Sequence, residues 1–173
     1  MRWAASYAAQ VNSRSDLDIA EERARDLLQV TEYSTLGEVT ARDSAEFARA
    51  AGETDPRMTD SDSPDFVVHP MYVVSLLRAA PGRVDEDLRP DGMFRTEVPG
   101  TDGLAVRLMA GGQDVTFHRP CLAGDYVDVS RTLIWVERKD GKSGKFLLMT
   151  VAKTYTARGR GIIATLNERF IVR

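Results

Sequence analysis

Thiol and imidazole are scarce in this chain, which carries one cysteine, Cys121, and two histidines, His69 and His118, among 173 residues. A lone cysteine excludes an internal disulfide framework and a thiolate-clustered zinc site, and it fits a reducing compartment. The two histidines are far apart in sequence and show no ligand spacing, so no metal site is expected. No apolar run approaches the roughly 18 residues of a membrane span. The opening ten residues hold one basic side chain and no apolar stretch of signal-peptide length, so the expected setting is cytoplasmic, without a membrane. An excess of positive charge is also missing: the net charge is −3, which argues against nucleic acid as a partner.

What is present describes a soluble globular chain, 43% hydrophobic and 28% charged. A chain of this length buries roughly 70% of its unfolded surface on folding, enough for one core without staples. Charge is uneven, with 11 basic and 19 acidic residues up to position 100 and 12 basic and 7 acidic after it. The second half is therefore the one suited to an anionic ligand or an acidic partner.

Residues 15–29 predict an amphipathic helix capped by Ser15 or Asp16, with Leu17, Ala20, Ala24, Leu27 and Leu28 on one face. A short strand over Tyr33–Val39 precedes a second helix that starts at Thr40, with Asp43 completing a variant capping box and Gly52 ending it. Its inward stripe reads Ala41, Ala45, Phe47, Ala48 and Ala51. A polar loop follows over Glu53–Asp65, then an apolar helix over His69–Ala80 that is expected to be buried, with Pro70 at its first turn. Prolines and glycines between Pro81 and Gly103 predict a long, mobile connection. Beyond it the period changes to two, predicting antiparallel strands over Leu104–Met109, Gln113–His118, Tyr126–Arg138, Phe146–Thr156 and Ile162–Val172. Gly124-Asp125 and Asp140-Gly141 supply turns, the second closing a hairpin. The order describes an α+β layer, a curled antiparallel sheet packed on a central helix.

The order of elements, the segment Phe47–Asp60 and the run Gln113–Asp125, with Phe117-x-x-Pro120-x-x-x-Gly124-Asp125 inside it, resemble the MaoC-like hot-dog hydratases and dehydratases. More narrowly, the chain resembles the N-terminal-type, fatty-acid-synthase dehydratase-like half of that group. The resemblance covers residues 33–173 as one hot-dog domain and leaves 1–32 as an N-terminal helical extension. It implies hydration of a trans-2-enoyl thioester, or dehydration of its (R)-3-hydroxy form, with the acyl group on coenzyme A or acyl carrier protein and no other cofactor. Such chemistry needs an Asp and a His to position and activate water, with backbone N–H groups stabilising the thioester oxygen.

Catalytic members carry Ser-Gly-Asp-x-Asn-Pro-x-His after the first helix. The matching residues here are Ala51-Gly52-Glu53-Thr54-Asp55-Pro56-Arg57-Met58. A thioether has no proton to exchange near neutral pH, so Met58 cannot replace an imidazole. The resemblance therefore implies a non-catalytic subunit paired with a catalytic MaoC-like subunit. Two alternatives stand beside it: a self-sufficient homodimer in which Glu53 or His69 is the base, and an acyl-thioester binding or scaffold protein without turnover. His69, just before the apolar helix, reads equally as a hydrogen-bonded packing residue, and no acidic residue between Phe66 and Val84 can serve as its partner. Met58, Met71 and Tyr72 are candidate substrate-lining residues, with plain core packing as the competing reading. His118 and Cys121 read as structural residues.

Overall fold

The computed structural model describes residues 14–76, 87–90, 92–142 and 144–173. Among the described residues the helices and strands run in the order α1 (Asp16–Asp26), β1 (Thr31–Glu38), α2 (Ala41–Ala50), α3 (Pro56–Thr59), α4 (Pro70–Ser75), β2 (Leu108–Phe117), β3 (Tyr126–Gly141), β4 (Gly144–Ala157) and β5 (Gly161–Val172). The strands form one antiparallel sheet in the order β1-β3-β4-β5-β2. It is the expected α+β arrangement, an antiparallel sheet with the helices packed against it.

Local chemistry explains the helix ends. Ser15 caps α1 by accepting from Asp18 N–H, and the Asp18 carboxylate returns the bond to Ser15 N–H. Thr40 likewise accepts from Asp43 N–H at the start of α2, and Gly52 leaves that helix with φ +81°. The inward face of α2 differs from the sequence pattern: Ser44, Ala45 and Ala48 are buried, whereas Ala51 is exposed. Ser44 belongs inside because its hydroxyl accepts from His69 N–H at 3.1 Å and so ties α4 to α2.

Three further expectations are corrected. The polar loop after α2 contains a short helix, α3, capped by Asp55 and opened by Pro56. The apolar helix is shorter than its composition predicts, because Leu76 turns out of helical geometry (ψ 91°) and ends α4 at Ser75. Residues 77–80 of that expected helix lie outside the described residues. Finally, the strands expected over Leu104–Met109 and Gln113–His118 are one strand, β2, interrupted by a bulge between Ala110 and Gln113. Gly112, at φ +98°, supplies the backbone for it.

The expected mobile connection between Pro81 and Gly103 lies partly outside the described residues, and its described remainder is anchored inward at Glu97, Val98 and Thr101. Val98 and Thr101 are fully buried there. Gly100 touches the α1 backbone so closely that a Cβ would sit 2.9 Å from Ala24 N.

Inward side chains alternate along β4 as Leu147, Met149, Val151, Lys153, Tyr155 and Ala157. They belong to two apolar clusters. One gathers Val39, Tyr72, Val73, Val127, Val129, Tyr155 and Ile163 under α2 and α4. The other gathers Ala20, Ala24, Val98, Leu133, Leu147, Met149 and Phe170 under α1. Between them, Arg131 and Lys153 face each other across β3 and β4. Lys153 Nζ lies 3.1 Å from Glu97 and 2.5 Å from Glu168, and Arg131 bonds Glu32 and the carbonyls of Thr96 and Glu97. A charged belt thus divides the core, each buried charge paired as low local polarity requires.

Candidate functional site

Glu53, Met58, His69, Met71 and Tyr72 lie on or beside the short helices α3 and α4, both of which pack against α2. His69 is the N-cap of α4, its Nδ1 accepting from Met71 N–H at 3.2 Å. Its ring packs edge-on against Phe47 with centroids 5.2 Å apart, and Phe47 in turn lies 5.7 Å from the Tyr72 ring. Tyr72 is buried, and that burial pushes its phenol up. Met58 and Met71 are half-buried on α3 and α4.

Glu53 turns its carboxylate back on its own loop. Oε1 accepts from Thr54 N–H at 2.7 Å and from Asp55 N–H at 3.0 Å. The Asp55 and Thr54 amides hold its carboxyl below the usual carboxylate range, with a smaller downward contribution from the nearby His69. Among the described residues no hydrogen bond joins Glu53 to His69. Asp55 caps α3 and pairs with Arg57, which lowers its carboxyl as well. The arrangement thus brings Glu53 and His69 into one neighbourhood without coupling them as acid and base. Among the described residues, no three His, Cys, Asp or Glu side chains converge as a metal site, and no helix is long and apolar enough to cross a membrane.

On the other side of the start of α4 lies a cavity of about 400 Å³ that the sequence did not reveal. Val68, Pro70 and Val73 form one wall, and Phe117, Cys121 and Ile163 face them. None of Glu53, Met58, His69, Met71 or Tyr72 lines it. Its only sequence signal is the Phe117-x-x-Pro120 run, whose turn is well built. Gly124 N–H donates to Val39 O, and Val39 N–H donates to Asp125 O. Burial pushes the Asp125 carboxyl up, but Arg160 and the Leu122 N–H outweigh it and hold it below the carboxylate range. Burial, aided by Asp125, pushes the Cys121 thiol up to about 12, so Cys121 is a packing residue and not a nucleophile at neutral pH. His118 is exposed, with Nε2 3.0 Å from Thr165 Oγ1.

A family model described as "FAS1-like, dehydratase domain region" matches residues 31–165. The UPF0336 protein of Streptomyces coelicolor is 31% identical over 94 residues, which are 51% of this chain and 55% of that protein. The chain thus matches about half the length of this curated relative. Among solved structures, the ChsH1-ChsH2 complex of Mycobacterium tuberculosis superposes with TM-score 0.62 at 18% identity, covering 90% of each chain. The (R)-hydratase of A. caviae involved in PHA biosynthesis gives TM-score 0.56 at 17% identity over 83% of this chain and 94% of that one. The HadBC (3R)-hydroxyacyl-ACP dehydratase complex of M. tuberculosis gives 0.55 at 17% over 84% and 97%. At these identities the likeness is one of fold.

Proposed function

The chain belongs to the FAS1-like dehydratase-region family of MaoC-like hot-dog proteins, and from that premise we propose that it is the non-catalytic subunit of an (R)-specific enoyl-thioester hydratase or 3-hydroxyacyl-thioester dehydratase. One observation carries the reading. Glu53 spends its carboxylate oxygen on two backbone amides, and the position three residues past Asp55 holds the thioether of Met58, so the water-activating pair is not assembled. A catalytic MaoC-like partner supplies the Asp and the His. The substrate arrives as a thioester of coenzyme A or acyl carrier protein, in a reducing, cytoplasmic setting, and the chain itself holds no further cofactor.

The partner docks along β2. This strand ends the sheet, so its outer edge offers a row of backbone donors and acceptors that a second sheet can take up. Two of the structural neighbours are themselves two-component complexes by their descriptions, which supports the same assembly.

A self-sufficient homodimer is the second reading, in which Glu53 or His69 is the base. One experiment separates the two: hydration of crotonyl-coenzyme A by the purified chain, alone and co-expressed with a catalytic MaoC-like hydratase that carries the intact Asp and His. The expected result is turnover only in the presence of the partner, unchanged by Glu53→Gln. Turnover by the isolated chain that disappears with Glu53→Gln would establish the homodimer instead.

A further inference from the structure

The cavity beside α4 has apolar walls and a charged rim. Its volume of about 400 Å³ is in the range of small-molecule sites. Arg119 stands at its edge.

Three arginines surround the turn between β4 and β5, and their environments differ. Arg158 pairs with Asp128 at 2.7 Å, and Arg160 pairs with Asp125. Arg119, the one that borders the cavity, has no carboxylate partner among the described residues. Its guanidinium donates to the carbonyl of Arg160 and lies against Gly161, where a Cβ would stand 3.5 Å from Nη1. The turn therefore fixes the group in place without neutralising it. A guanidinium has five N–H donors in a planar fork suited to a carboxylate, and the Arg160 carbonyl takes few of them.

From this geometry we propose that the cavity binds the carboxylate of a free fatty acid, with the hydrocarbon chain between α4 and the end of β2 and the head group on Arg119. In an acyl thioester, the nearest anionic group is separated from the acyl carbonyl by a long uncharged arm. A cation directly at the rim of the apolar space matches a charge carried at the end of the chain itself. The site is independent of where the hydration chemistry occurs, so it stands or falls separately from the subunit assignment.

Calorimetric titration of the purified full-length chain tests it, using decanoate, decanol and decanoyl-coenzyme A below their aggregation concentrations. Decanoate is expected to bind at least about tenfold more tightly than the other two, as a charge-assisted hydrogen bond provides. Added salt should weaken decanoate and leave decanol unchanged, a readout that needs no variant. Arg119→Gln should remove the preference for decanoate while decanol binds as before, and Val67→Trp, at the mouth, should weaken both. Equal affinity for decanoate and decanol, or insensitivity to Arg119→Gln, would overturn the assignment of the head group. Tighter, Arg119-dependent binding of decanoyl-coenzyme A would make the cavity a thioester site, and no binding of any probe would refute it as a site.

Discussion

Single side chains already divide the chemistry of this chain into bonds that hold the fold and groups that remain for a ligand. His69 belongs to the first kind, since Nδ1 caps α4 and the ring packs on Phe47. His69→Ala is expected to cost about 1 kcal/mol, the usual value of an N-cap, while turnover of the assembled complex stays unchanged; urea unfolding beside the crotonyl assay measures both. Asp128 shows how the outer face is tied together. Its carboxylate accepts from Arg158 and from Thr35, in that order of effect, which brings it from its ordinary 3.8 down to about 2. Because the folded chain binds this proton less readily than the unfolded one, the stabilisation is complete above 3.8 and is lost as the pH falls toward 2. Thermal unfolding midpoints should therefore fall more steeply over that window in the natural chain than in Asp128→Asn. A parallel fall in both would show that Asp128 is not the group responsible.

The elements were legible to different degrees, for physical reasons. Long strands were readable because alternation survives wherever one face is buried, and β3, β4 and β5 lie close to their expected positions. Caps were readable because Ser15 and Thr40 act on residues three places away. The length of α4 was not, because apolar residues fit helix and extended chain alike; nothing in Ser75-Leu76-Leu77 announces the break at Leu76. The candidate cluster was partly legible: register with the catalytic motif placed Glu53 and Met58, and His69 was singled out separately for its place before the apolar helix. The cavity was not, because its walls come from 67–73, 117–121 and Ile163, which only the folded sheet brings together. The edge strand β2 carries the prediction at this scale. Met109, exposed near its start, is a place where a charge should block an added strand without disturbing the buried face. Met109→Lys should abolish co-elution with the catalytic partner in size-exclusion chromatography and leave the circular dichroism of the isolated chain unchanged. Intact co-elution would move the interface away from β2.

Across the whole molecule, the charged belt is what sequence reading missed most completely, since Arg131 and Lys153 occupy inward positions of otherwise apolar strands. Lys153 is 9% exposed and faces two carboxylates, so Lys153→Met would leave the buried Glu97 and the half-buried Glu168 without their cation. A loss of about 3 kcal/mol in chemical denaturation is expected, reduced when Glu97→Gln is added, because breaking a buried pair costs more than removing it whole. Additive effects of the two substitutions would mean that the groups do not act on each other. The belt also sets how far a disturbance can spread. Water entering beneath α1 would meet a seam of paired charges before it reached the side chains beneath α4. The two ends of the sheet should therefore breathe separately, and amide exchange should show two opening events where an unbroken apolar interior would show one.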